Sequence, residues 1–383
     1  MARKSDQNKG IEKQNLKINK NISIAESHKN AQSKHSDSKI IQKQPPINTA
    51  NSSSPILDFV NKYFKKLDNK IVFYTVWLIL FILLMTVRIT IKVNAAGDDN
   101  IGYNYGLINY KFFTSFGKDT AYKHLTALGQ DFTPRLNTEK YYGAGFEMLA
   151  VSLNKIFKPK ELYFPRQLLA VVVFAFILLF IGLFAAYLWG WNWGIIGMLF
   201  YVNIPEMLYL GLTSYNIKDT PFALGCLIFV YGLIKIFNEF PKLNKINFLW
   251  LGLGFFIALI TRLAALMFLV YIPLTFLAYF FFNKKFKIDF NNNKNLVIKT
   301  VLSATVVLLI SCLFALGLGY YNFWLNPTTH VQNGLKVLAD FPQKIPVLYN
   351  GETYSSTDLP PTYIFDVLIK SLPIYLIICF VLF

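Results

Sequence analysis

The chain has 383 residues, of which 54% are hydrophobic, with 36 Phe and 22 Tyr, and its formal net charge is +17. Such a composition is too apolar and too aromatic for a soluble domain of this size, and the apolar residues fall in blocks near ~20 residues, the length that crosses a hydrocarbon core. The charge is not arranged as a nucleic-acid groove: residues 1–70 hold 14 Lys/Arg against 6 Asp/Glu, and much of the remaining excess lies in loops, which fits membrane topology and attraction to anionic lipids. An all-α polytopic membrane protein with no nucleic-acid partner is expected.

Residues 1–55 are rich in Lys, Asn, Ser and Gln and poor in aromatics. They bury too little apolar surface to offset the entropy of ordering, so a disordered cytoplasmic tail is expected. No apolar core follows its charges until residue 71, which excludes a signal peptide. Residues 56–70 (ILDFVNKYFKKLDNK) space apolar positions helically between lysines, and read either as an amphipathic helix on the membrane surface or as a solvated linker. The first span is placed at 71–93, with further apolar runs at 166–189, 191–212, 219–237, 247–261, 263–282, 298–320 and 371–383, about eight in all. With the lysine-rich tail inside, the loops 94–165 and 321–370 fall outside. The loop around Lys242 and Lys245, and the one holding Lys284, Lys285, Lys287, Lys294 and Lys299, fall inside. The run 247–282 is interrupted only by Thr261 and Arg262 and reads as two short spans turning at Arg262, or as one bent helix. The final run stops after 13 residues, which is short for a crossing, so an incomplete last span is expected.

Cys226, Cys312 and Cys379 lie inside apolar runs, without metal spacing or disulfide partners. No glycine-rich phosphate loop and no zinc spacing occur. The pairs Gly252/Gly254 and Gly317/Gly319 lie within spans, where they allow helices to approach closely. An enzymatic reaction in such a chain would draw on a substrate already in the membrane.

The unusual polar residues collect on the expected outer side. Asp98 and Asp99 lie a few residues beyond the first span. Carboxylates at the edge of the hydrocarbon can have raised pKa values and act as general bases, although GDDN is also a good turn sequence. In 213–223 (TSYNIKDTPFA), Asp219 or Thr220 reads as a helix cap with Pro221 in the first turn. Lys218 beside that helix start also favours a phosphate. Arg166 and Arg262 sit at span ends, where an arginine either snorkels to the interface or clamps a phosphate; snorkelling is the preferred reading for Arg166. His330, in NPTTH of the late outer loop, reads as a surface histidine or as a substrate contact.

These features occur in a definite order: one span, an outer loop opening with the acidic pair, YYGAGFEML, FPRQLLAVVVFAF, SYNIKDTPFA, LITRLAAL, and a late loop ending in LPPTY. Over residues 71–383 that order resembles the GT-C superfamily of polytopic glycosyltransferases, near the bacterial relatives of protein O-mannosyltransferases and the aminoarabinose transferase (family 39 type). The resemblance implies a GT-C helix bundle in a bacterial inner membrane. It also implies transfer of a sugar, with inversion, from a polyprenyl-phosphate carrier to a protein or glycolipid acceptor at the outer face. It makes Asp98 or Asp99 the base and Asp219 a residue that shapes the site. Arg262 with Lys218 would hold the lipid phosphate, and Arg166 and His330 complete the substrate-binding set. The family often shows Asp-Glu where this chain has Asp-Asp, so which carboxylate is the base stays open. No cofactor is called for, no metal ligands are assigned, and a divalent metal is left open. The rival reading is a transporter or flippase, against which stand the missing internal repeat and the placement of charges at span ends.

Overall fold

The computed structural model describes residues 68–91, 97–118, 141–213, 219–242, 244–339 and 346–371. The chain divides into two units, 1–65 and 66–383, and all of the described residues belong to the second. The expected tail 1–55, residues 56–67 of the juxtamembrane segment, and 372–383 of the last run lie outside the described residues.

The described residues are predominantly helical. In chain order the helices are α1 (Asn69–Thr90), α2 (Gly97–Thr114), α3 (Gly145–Phe157), α4 (Phe164–Trp189), α5 (Trp191–Val202), α6 (Pro205–Thr213), α7 (Asp219–Glu239) and α8 (Lys245–Leu259). After a 3₁₀ turn (Leu263–Met267) come α9 (Phe268–Phe282), α10 (Lys284–Asn292), α11 (Lys294–Gly319), α12 (Tyr321–Leu325), α13 (Pro327–Ala339) and α14 (Tyr363–Ser371), with a hairpin of β1 (Pro346–Tyr349) and β2 (Glu352–Ser355) before α14. Among the described residues, five segments are long and apolar enough to cross a membrane: α1, α4, α7, Leu263–Phe282 and α11. The chain is an integral membrane protein.

The local sequence explains several of the helix ends. Asp68 caps α1 by accepting from the Lys70 amide at 3.0 Å, and Asn244 caps α8 by accepting from Ile246 at 3.2 Å. Pro165 stands in the first turn of α4, where its missing N–H breaks no bond. Asn350 and Gly351, at φ 52° and 85°, make the turn of the hairpin, as Asn-Gly is suited to do.

Half of α4 and half of α7 are buried, whereas α1, Leu263–Phe282 and α11 are mostly exposed, so the first two form the centre and the others present apolar faces outward. Ile71, Leu78, Ile79, Ile82 and Leu83 on α1 are such surface residues; in a bilayer, hydrocarbon solvates them as well as protein would. Association must then come from close packing rather than from hiding apolar surface. Helices α7 and α8 achieve it with glycines: a Cβ on Gly225 would lie 2.5 Å from the Ala258 amide nitrogen, and one on Gly254 would collide with the Phe229 nitrogen. Gly254→Ala is therefore expected to lower stability by about 1–3 kcal/mol, read as a fall in thermal midpoint in detergent. Gly197→Ala, whose nearest neighbour would be Ala185 Cβ at 3.4 Å, should leave the midpoint nearly unchanged.

One expectation needs correction and three gain detail. The 191–212 run is not one span: it breaks after α5, where Ile204 precedes Pro205 and is held out of the helical region, and α6 restarts at the proline. The segment 94–165, expected as a long loop, contains α2 and α3. The late loop 321–370 holds α12, α13, the hairpin and most of α14. The 247–282 run divides at Arg262, whose backbone is extended (φ −148°, ψ 131°) between α8 and the 3₁₀ turn.

Candidate functional site

The break at Arg262 anchors a cluster built from distant segments. The YYGAGF stretch (141–146) passes beside it and enters α3 at Gly145, with Tyr142 and Arg262 forming an isolated antiparallel β-bridge. The Gly143 amide donates to Thr261 O at 2.9 Å, Ala144 to Gly319 O at 2.8 Å, and Gly145 to Ile260 O at 3.2 Å. These carbonyls close the C-terminal ends of α8 and α11, so one short segment satisfies helix-end acceptors that would otherwise lack donors. The fit requires glycine, because a Cβ on Gly143 would collide with the Ile260 carbonyl. Tyr105 of α2 donates to Tyr142 O at 2.9 Å, and the Tyr321 amide of α12 donates to Asn109 Oδ1 of α2 at 3.1 Å. Helix α2 thereby belongs to the same cluster.

The bridge also positions the Arg262 side chain. Its guanidinium stacks 5.4 Å from the Tyr142 ring centroid and 5.9 Å from that of Phe222, and it is ion-paired with Asp219 in the first turn of α7. Asp219 is thus the first helical residue of α7, and its carboxylate pairs with Arg262. The two side chains are 26% and 44% exposed, so the pair is within reach of a ligand, while Arg262 Nε is buried without a hydrogen-bond partner. A half-exposed pair of this kind contributes little stability. Its guanidinium can accept a second anion at modest cost.

His330 on α13 is buried, its ring between Tyr141 at 5.5 Å and Tyr320 at 5.2 Å. It is not a surface histidine. Tyr320, fully buried at the end of α11, donates to Leu259 O at 2.7 Å. Burial pushes its phenol well above the usual tyrosine range, with nearby Arg262 acting the other way, so it remains a hydrogen-bond donor.

Arg166 departs from the snorkelling reading. It is 1% exposed and holds Glu147 of α3 bidentately, Nε to Oε2 at 2.8 Å and Nη2 to Oε1 at 2.7 Å. Space for this pair comes from α2, where a Cβ on Gly102 would lie 2.8 Å from Arg166 Nη2. Asp98 and Asp99 occupy the first turn of α2, one turn before Gly102; their side chains, and the whole of Lys218, lie outside the described residues. The structure therefore brings together Asp219 and Arg262, sets His330 against Tyr141 and Tyr320, and pairs Arg166 with Glu147 beside Gly102 of α2. Sequence reading missed Glu147 as the partner of Arg166. The available signal was a glutamate on one short amphipathic helix and an arginine at the start of the next apolar run. Among the described residues no group of three His, Cys, Asp or Glu side chains is placed to hold a metal.

Chemically, the cluster offers an accessible guanidinium with an aromatic backing and a helix N-terminus beside it. That combination suits an anionic group on a membrane-embedded molecule. Comparison with protein-family models, with curated proteins and with solved structures finds no match.

Proposed function

We propose that the chain is a GT-C-type membrane glycosyltransferase that moves a sugar from a polyprenyl-phosphate carrier to an acceptor hydroxyl or amine at the outer membrane face. The observation that carries this reading is Arg262: a partly exposed guanidinium fixed at the end of a helix pair, flanked by Tyr142 and Phe222 and by the start of α7. In this reading it neutralises the lipid phosphate, assisted by the positive end of the α7 dipole.

The step balances simply. Asp98 or Asp99 takes a proton from the acceptor, and the acceptor atom forms a bond to the anomeric carbon from the side opposite the phosphate. The bond from that carbon to the phosphate oxygen breaks, and polyprenyl phosphate leaves with the electron pair. The anomeric centre inverts. Phosphate is a competent leaving group once its charge is stabilised, so base, positioning and cation supply the chemistry.

The test is transfer of labelled sugar from a polyprenyl-phosphate donor by the full chain in proteoliposomes. Asp98→Asn or Asp99→Asn is expected to lower turnover by about 10²-fold or more, the range of a lost general base. Arg262→Ala is expected to lower it by a similar factor. Undiminished turnover in both aspartate variants would overturn the base assignment, and solute movement without covalent transfer would favour the transporter.

A further inference from the structure

Arg88 has no part in the site described above. It lies in the last turn of α1 and is 3% exposed. Of its five N–H donors, one on Nη1 is bonded, to Ile91 O at 2.8 Å, and Nε is buried with no partner. Glu161, between α3 and α4, is close enough to act on it electrostatically, but among the described residues no carboxylate forms an ion pair with it. A cavity of about 330 Å³ opens beside it, walled by Val87 of α1, by Ile91 just beyond that helix, and by Pro205, Leu208, Tyr209 and Leu212 of α6.

These observations make two demands. A guanidinium near the end of a membrane-spanning helix is unfavourable in hydrocarbon unless an anion or water meets it. One carbonyl, with a carboxylate beyond ion-pairing distance, leaves the buried Nε without a hydrogen bond. The cavity walls, in contrast, are almost entirely apolar and suit a hydrocarbon chain. A free anion would satisfy the arginine and leave the walls empty, whereas a neutral lipid would fill the walls and leave the arginine unmet. One class of molecule answers both demands: a lipid with a phosphate head, whose oxygens match the guanidinium fork.

We propose that Arg88 and the cavity between α1 and α6 bind the phosphate head of a membrane lipid, with the first part of its chain against Pro205, Leu208 and Leu212. The site is separate from Arg262 and does not depend on glycosyl transfer. A glycerophospholipid and a polyprenyl monophosphate share the required chemistry.

Native mass spectrometry of the full chain in nonionic detergent tests this, with titrations of phosphatidylglycerol, polyprenyl monophosphate and inorganic phosphate. The wild-type chain should hold one lipid-phosphate molecule at least tenfold more tightly than Arg88→Met, and inorganic phosphate should show no saturable binding. Whichever lipid is held more tightly identifies the source. Leu212→Trp fills the cavity while keeping the arginine and should weaken lipid binding similarly, which maintains the test if the Arg88 variant misfolds. Equal lipid occupancy in the wild type and in a folded variant of either kind overturns the proposal, as does inorganic phosphate binding as tightly as the lipids. Absence of sugar transfer would leave these outcomes unchanged.

Discussion

Glu147→Ala is expected to destabilise the protein by about 3–5 kcal/mol, because it strips a buried guanidinium of its carboxylate. Arg166 is 1% exposed and bonds both Glu147 oxygens through the parallel fork that gives arginine–carboxylate pairs their strength. Removing one charge leaves the other desolvated and uncompensated, which is worse than removing both. The double variant Glu147→Met with Arg166→Met should therefore recover a large part of the loss, and the non-additivity is the diagnostic. Thermal midpoints of the two single variants and the double variant in one detergent provide the measurement. A double variant as unstable as the sum of the singles would show that the pair contributes separate packing terms.

Gly143→Ala is the second large effect, expected at about 3 kcal/mol or more, in the class of core overpacking. Its Cβ would collide with a backbone carbonyl oxygen, that of Ile260, which cannot rotate aside as a side chain can. The Tyr142–Arg262 bridge, and the amide bonds from Gly143 to Thr261 and from Gly145 to Ile260, lie at the point of collision. Gly190→Ala is the contrasting control: its φ is +100°, and nothing lies within 4 Å of the added Cβ. Only backbone strain acts there, so a cost of about 1–3 kcal/mol is expected. Limited proteolysis around residues 141–146 should sharpen in Gly143→Ala and remain as in the wild type for Gly190→Ala.

Long apolar runs made the membrane class readable from the sequence, since hydrocarbon thickness imposes a length on the chain. The break at Arg262 was visible for the same reason, as a polar pair within an apolar stretch. Gly254 was correctly marked for close approach, because glycine in a span has few other uses, although its partner Phe229 could not be named. Helix α2 was missed because GDDNIGYNYG looks like a turn by residue propensity. Its burial of Ile101, Tyr105, Ile108 and Phe112 on one face follows a helical spacing that was present to be read. The Glu147–Arg166 pair was hidden because nothing local says which of several charges a fold will bury together. Arg88 was passed over because an arginine ending a span is ordinary by sequence, and only a buried Nε without a hydrogen bond makes it unusual.

Residues 143–145 give their amides to carbonyls at positions 260, 261 and 319. A ribosome delivers the donors long before it delivers those acceptors. The clasp therefore stays open while α4, α7 and α8 enter the bilayer, and it closes on Gly319 only once α11 has been inserted. Completion of the Arg262 cluster is thus coupled to late insertion: a chain halted before α11 would carry every residue of the proposed phosphate-holding pair without the full brace that aligns them.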